Sequence, residues 1–172
     1  MILQDKKIFS HQRGFSLIEA LVAFLILSVG MLGIASLQLL SLKAGHTASL
    51  RTVAVIKADE IMERIRSNPT VVAGYASTVD DLGVNVGCNA TNMCTQNEMA
   101  RNDIFNWKAD LLASLPNLGA TASVDVANPV PGVNPAAVVT VTINWQERNP
   151  ETQVMDDMSF SVSSHICDST AC

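Results

Sequence analysis

RGFSLIEALVAFLILSVGMLGIASLQLL, residues 13–40, decides how this chain is built. After Arg13 the stretch carries one charge, Glu19, and no charged side chain follows from residue 20 to residue 42. About 20 apolar residues are enough to cross the hydrocarbon of a bilayer as a helix. A lone carboxylate at the start of such a run costs on the order of a few kcal/mol unless it is paired or protonated. Upstream, Lys6, Lys7 and Arg13 face Asp5 alone, so the first 14 residues carry a net +2. Basic residues stay on the cytoplasmic side, which places the amino terminus there and the rest of the chain in the periplasm or outside. A secretory signal peptide has a shorter apolar region, roughly 7–15 residues, ending at a small-residue cleavage site. Gly33-Ile34-Ala35 is a weak candidate for such a site, and the apolar run continues well past it. A membrane anchor explains the run better.

Outside residues 15–42 the composition changes. The remainder is polar and rich in Ala, Val, Thr and Ser, so it can build only a small core, and covalent staples would help it. The chain is −5 overall, which leaves −7 after the basic leader. Beyond Arg66, only Arg101, Lys108 and Arg148 stand against eleven acids. Such a surface repels phosphates and argues against nucleic acid as a partner. All four cysteines, Cys88, Cys94, Cys167 and Cys172, follow the apolar run. An even count on one side of a membrane segment points to disulfides in an oxidising compartment. Three pairings exist; closeness in sequence favours Cys88 with Cys94 and Cys167 with Cys172. The intervals C-x5-C and C-x4-C are wide for a zinc knuckle and have no clustered histidine, so no metal site and no cofactor are expected.

The helical signal continues past Lys43. No proline occurs from residue 15 to Asn68, and Leu50, Ala54, Ala58, Ile61, Met62 and Ile65 recur at steps of three and four. Helix should end at Asn68-Pro69. About 52 residues at 1.5 Å each make a rod of about 78 Å, with Gly30 and Gly33 as its weak points or its close-packing positions. Residues 67–94 read as irregular, with glycines and asparagines as turn formers and Val71-Val72-Ala73 as a short strand or helix. Thr95-Gln96-Asn97-Glu98 is a capping box. It should open a helix over 96–115 that buries Ala100, Ile104, Trp107, Leu111 and Leu115 and closes at Pro116. Three runs of alternating residues follow. Their inward sets are Ala120, Ala122, Val124 and Val126; Val139, Val141, Ile143 and Trp145; and Met158, Phe160, Val162 and Ile166. A Pro/Gly-rich loop at 128–135 and Asn149-Pro150 separate them, which reads as an antiparallel meander with one buried face. The apolar stripe of the long helix is its natural cover. The expected class is α+β: a long membrane-spanning amino-terminal helix, a second shorter helix and an antiparallel sheet.

Arg13-Gly14-Phe15-Ser16-Leu17-Ile18-Glu19 resembles the processing site of type IV prepilins and pseudopilins. In that family a membrane-embedded aspartyl peptidase cuts after the glycine and methylates the new amino terminus. The resemblance implies cleavage between Gly14 and Phe15, N-methylation of Phe15, and Glu19 as the fifth mature residue. It divides the chain into a removed leader (1–14), a transmembrane and assembly segment (15–42) and a periplasmic head (43–172). The family pairs this glutamate with the terminal amine of a neighbouring subunit inside a dry helix bundle. Phe15 and Glu19 stand four residues apart, on one side of a helix. Many pilins carry a proline in the middle of the membrane segment; this chain has none.

Later segments are similar to the minor pilins called type IV pilus modification protein PilV. They are Ala58-Asp59-Glu60-Ile61-Met62-Glu63-Arg64-Ile65-Arg66-Ser67-Asn68, the paired cysteines, Trp107-Lys108-Ala109-Asp110-Leu111-Leu112 before Leu115-Pro116, and Val141-Thr142-Ile143-Asn144-Trp145. That resemblance implies a minor pilin that helps initiate type IV pilus assembly near the fibre tip. Its implied partners are other minor and major pilins, the prepilin peptidase, an inner-membrane assembly platform and a tip adhesin. A minor pseudopilin of type II secretion is the alternative. An enzyme finds no support. His46 and His165 are isolated, Ser163-Ser164-His165 reads as a polar sheet edge, and Asp80-Asp81 and Asp156-Asp157 read as solvated charges.

Overall fold

The structure is a computed structural model that describes residues 14–89, 91–115, 119–127, 136–149 and 152–167. The basic leader, Pro116, the loop at 128–135, Pro150 and Cys172 lie outside the described residues. Backbone contacts divide the chain into two compact units, Met1–Lys43 and Ala44–Cys172. The element order is α1 (Leu17–Ser67), a 3-10 segment (Pro69–Tyr75), α2 (Gln96–Ser114), β1 (Thr121–Ala127), β2 (Ala137–Arg148) and β3 (Met155–Ile166).

In the first unit, α1 is an uninterrupted helix through Gly30 and Gly33. Every described residue up to His46 is exposed, including all of its Leu, Ile, Phe and Val side chains. With no proline to remove a backbone donor, nothing in this segment breaks the helical ladder, and no melted stretch is present. Ser28 returns its hydroxyl to the carbonyls of Phe24 and Leu25, and Ser36 to that of Gly33, so these polar side chains satisfy themselves within the helix. This is the one described helix long and apolar enough to cross a membrane.

In the second unit the same helix becomes one-sided. Ala54, Ala58, Ile61, Met62 and Ile65 are buried, at the three- and four-residue spacing that brings side chains onto one face. Arg64 and Arg66 occupy the last turn, where the helix dipole favours cations. Pro69 then stops the ladder and opens the 3-10 segment, whose Val72 and Tyr75 are buried. The capping box of α2 forms in full. The Thr95 side chain accepts from Glu98 N–H, and the Glu98 carboxylate accepts from Thr95 N–H. The sheet is a meander in the order β1-β2-β3, antiparallel throughout, with Val124 opposite Val141 and Val141 opposite Val162.

One core gathers the α1 stripe, Tyr75, the α2 face (Ala100, Ile104, Trp107, Leu111, Leu115) and the inner sheet residues Ala122, Val124, Val139, Val141, Ile143 and Trp145. Met158, Phe160 and Val162 of β3 are only half-buried, because an edge strand has a neighbour on one side alone. The far edge, β1, is partly paired: Ser77 and Val124 exchange backbone hydrogen bonds of 2.9 and 2.8 Å. Trp107 belongs to the core, fully buried, with its indole N–H donated to the Lys57 carbonyl at 2.7 Å. That bond ties α2 to α1 across the core and satisfies the one polar atom the ring brings inside.

Candidate processing and assembly sites

In the first unit, Gly14, Phe15 and Ser16 precede the helix. The first helical acceptor is the Ser16 carbonyl, which takes N–H groups from Glu19 at 3.1 Å and Ala20 at 3.2 Å. The peptide bond between Gly14 and Phe15 is therefore not locked into a helical ladder, and both residues are exposed. A peptidase needs such access, since backbone already bound within a helix must unwind first. Glu19 lies in the first turn, where the positive end of the helix dipole favours a carboxylate. No side chain among the described residues pairs with it. Phe15 sits just before the helix rather than on its face, so the four-residue spacing alone does not set the two groups side by side here.

In the second unit, Cys88 and Cys94 are joined, with their Cα atoms 5.6 Å apart. Cys167 is disulfide-bonded too. The loop closed by Cys88 and Cys94 is organised by amide side chains. Asn89 Oδ1 accepts from the N–H groups of Thr91 and Asn92, both at 2.9 Å. Asn92 Nδ2 donates to the Val86 and Gly87 carbonyls. The loop is fastened to α2 by Asn102, a buried side chain whose Oδ1 accepts from Val86 and Gly87 N–H, each at 3.2 Å. The asparagines were legible as turn formers; the anchoring role of Asn102 was not, since a polar residue on a helix carries no periodic signal of its own.

Upstream of the disulfide, residues 77–84 are clamped onto α2. Lys108 is buried, and its ammonium donates to the carbonyls of Thr78 and Asp81, both at 2.6 Å. Burial holds the Lys108 ammonium below its ordinary pKa, with the field of Asp81 opposing. Arg101 donates to Asp81 at 2.5 Å, and Asp81 also accepts Gly83 N–H at 3.0 Å. The hydrogen bond from Arg101, then that from Gly83, pull the Asp81 carboxyl below its usual value. Asp81 is thus a partnered structural charge, not the solvated one its sequence context implied; only Asp80 beside it is exposed. Gly83 has φ +75°, and a Cβ there would stand 2.6 Å from the Arg101 carbonyl oxygen, so glycine is required on both counts.

A polar junction closes the end of α1. Arg64 bridges Glu60 at 2.6 Å and Asp103 of α2 at 3.1 Å. The fully buried Tyr75 donates its hydroxyl to Asp103 at 3.0 Å. Burial, and then the nearby Asp103 charge, push the tyrosine up to about 12, against a lowering hydrogen bond from Asn68. Arg64, Ser67, Asn68, Tyr75 and Asp103, with Cys94, Gln96 and Met99, line an open recess of about 430 Å³. Arg64, Ser67, Asn68, Tyr75 and Asp103 each hold a hydrogen-bond partner within the head, and nothing in the recess resembles a nucleophile with its base. His46 and His165 are exposed and far apart in sequence, Asp156 and Asp157 accept from Asn149 and Gln146, and no three His, Cys, Asp or Glu side chains among the described residues converge.

An exposed apolar helix with an accessible Gly-Phe bond at its start, followed by an α+β unit in an oxidised state, fits a membrane-anchored subunit. The comparisons with known families agree. A family model for the prokaryotic N-terminal methylation motif matches residues 9–35, and one described as type IV pilin Tt1218 matches residues 36–105. Together the two matches, over residues 9–105, support a member of the type IV pilin family. The matches support a subunit of the pilin and pseudopilin kind, a family that implies association with other pilins and processing by prepilin peptidase. No curated protein and no solved structure matches it.

Proposed function

We propose that this chain is a minor type IV pilin, resembling the PilV modification proteins, that helps initiate pilus assembly and enters the fibre near its tip. The exposed bond between Gly14 and Phe15, one residue ahead of the first helical acceptor, is the observation that carries the reading. Prepilin peptidase hydrolyses that bond on the cytoplasmic side of the inner membrane. The glycine leaves as the leader's carboxylate, and Phe15 becomes an amine that is then methylated. The head, residues 43–172, stands in the periplasm with its disulfides formed. Cleavage makes the Phe15 amine a new cation near Glu19; in an assembling fibre, the amine of a neighbouring pilin pairs with Glu19 and sets the helix register. The other subunits are minor and major pilins gathered on an inner-membrane platform, with a tip adhesin beyond them.

Deletion of the gene, scored for surface pili and for type II secretion in the same strain, tests this. Lost piliation with intact secretion is the expected result. The reverse pattern makes the chain a secretion pseudopilin, and retention of both removes the assembly role. A Glu19→Ala chain should be cleaved normally yet be depleted from sheared fibres; assembly equal to the parent would sink the pairing.

A further inference from the structure

Residues 77–84 invert the usual arrangement of a surface loop. Their polar groups point inward: the carbonyls of Thr78 and Asp81 to Lys108, the Asp81 carboxylate to Arg101, and Val84 N–H to the Arg101 carbonyl. The Ser77 hydroxyl closes the segment on itself through the Asp81 carbonyl at 2.9 Å. The aliphatic side chains are left outside. Val79, Leu82 and Val84 are 43%, 56% and 52% exposed, three within six residues of a tightly fastened turn. Single exposed aliphatic residues need no explanation, but several presented together by a rigid segment mark an interaction surface. Between Val79 and Leu82 stands Asp80, exposed and, among the described residues, in no salt bridge, although its charge reaches the inward-turned Lys108 ammonium.

Charge selects the occupant. Arg51, Lys57, Arg64, Arg66 and Arg101 each hold a carboxylate of this same head, and Lys108 is turned inward. Among the described cations past residue 44, Arg148 is the one left exposed without an ion pair, and a chain of net −7 after its leader repels itself. We propose that the outward face of residues 78–84, built from Val79, Leu82 and Val84 around Asp80, docks the head of a different pilin subunit that offers an apolar patch with a basic rim. This rests on the minor-pilin reading and explains it physically: a head that disfavours its own copy enters a fibre singly, beside a basic neighbour, and does not form the shaft. Aliphatic contacts supply affinity, and Asp80 supplies orientation and discrimination.

The test places a benzophenone amino acid at Leu82 of the full chain, expressed in its own cells and irradiated, with Ser159 on the outer sheet face as the control position. The expected product is an adduct at Leu82, absent at Ser159, whose second chain is a different pilin with a basic head surface. A second measurement follows how much of that pilin is purified with the detergent-solubilised full chain. Leu82→Asp and Asp80→Lys should each lower it about tenfold, with the circular dichroism and the Cys88–Cys94 bond unchanged. A homodimeric adduct, an adduct to a protein that is not a pilin, no adduct above the control, or unchanged co-purification overturns the proposal. If deletion abolishes pili while one of those outcomes is seen, the docking surface fails and the minor-pilin reading stands. If deletion leaves pili intact, that reading fails by itself.

Discussion

The two parts of α1 form the same hydrogen-bonded ladder and solve opposite problems. From Leu17 to Lys43 the side chains are mostly apolar, with charge only at Glu19 and Lys43, and none is buried. From Ala44 to Ser67 the helix mixes charge with a stripe, and Ala54, Ala58, Ile61, Met62 and Ile65 vanish into a core. Helix propensity does not distinguish them. What differs is the solvent each presumes: hydrocarbon or a fibre interior for the first part, water on one side and a sheet on the other for the second. A substitution should therefore be felt in a different currency in each part, processing and assembly in the first, folding stability in the second.

The largest expected effect lies in the first part and leaves stability untouched. Gly14→Leu replaces the small residue at the cleaved bond with a bulky one, and processing should stop completely. Immunoblotting in cells with active prepilin peptidase should show only the longer precursor, still membrane-bound. A mature-length product from this variant would separate the sequence motif from the cleavage it implies. In the second part, Trp107→Ala removes a fully buried ring and its bond to the Lys57 carbonyl. About 3–5 kcal/mol of head stability should go, enough to unfold a small domain, while membrane insertion and leader cleavage persist. Proteolysis of the head with the anchor retained is the expected pattern. Loss of membrane association in this variant would break the division between the two parts.

Tyr75 sharpens the comparison inside the head. It is the only tyrosine in the chain, so phenolate absorbance reports on it alone. Burial raises its pKa to about 12. A raised value means that the folded state holds the proton more tightly than the unfolded one. The stabilisation is therefore complete below the ordinary tyrosine value, near 10, and is lost as pH rises through about 12. The absorbance midpoint should lie well above 10 in the native chain and return towards 10 in denaturant. A native midpoint near 10 would mean that the junction of Arg64, Asp103 and Tyr75 is open to water.

How much of this was written in the sequence depends on the kind of signal. The long apolar helix, the stripe, the capping box at Thr95 and the three alternating strands follow repeating or local patterns, and each appears where those patterns put it. The 3-10 segment after Pro69, the bridge between Ser77 and Val124 and the clamp of residues 77–84 do not repeat. They depend on partners well separated along the chain, such as Lys108 with Thr78, 30 residues apart. Tyr75 gave no signal at all, being one aromatic residue in a stretch of turn formers. Asp81 was misleading for the same reason: beside Asp80 it looked solvated, and only the fold brings Arg101 to it.

That clamp gives the smallest effect. Asp81→Asn keeps the shape of the side chain and removes its charge opposite Arg101. Both side chains are about one-third exposed, so water and salt screen the pair, and its loss should cost no more than about 1 kcal/mol. The sign with pH is fixed by the direction of the shift. Asp81 has a folded value below the unfolded one, so its contribution is complete above the ordinary aspartate value, near 4, and fades as pH falls through the lowered one. The parent and Asp81→Asn heads should thus differ in melting temperature at neutral pH and converge in acid, with the difference reduced by salt. Because Lys108 still holds the Thr78 and Asp81 carbonyls, residues 77–84 should keep their place in the variant. If the loop instead loosens at neutral pH, seen as faster amide exchange at Val84, then the carboxylate and not the ammonium positions it, and the outward aliphatic face depends on a single screened ion pair.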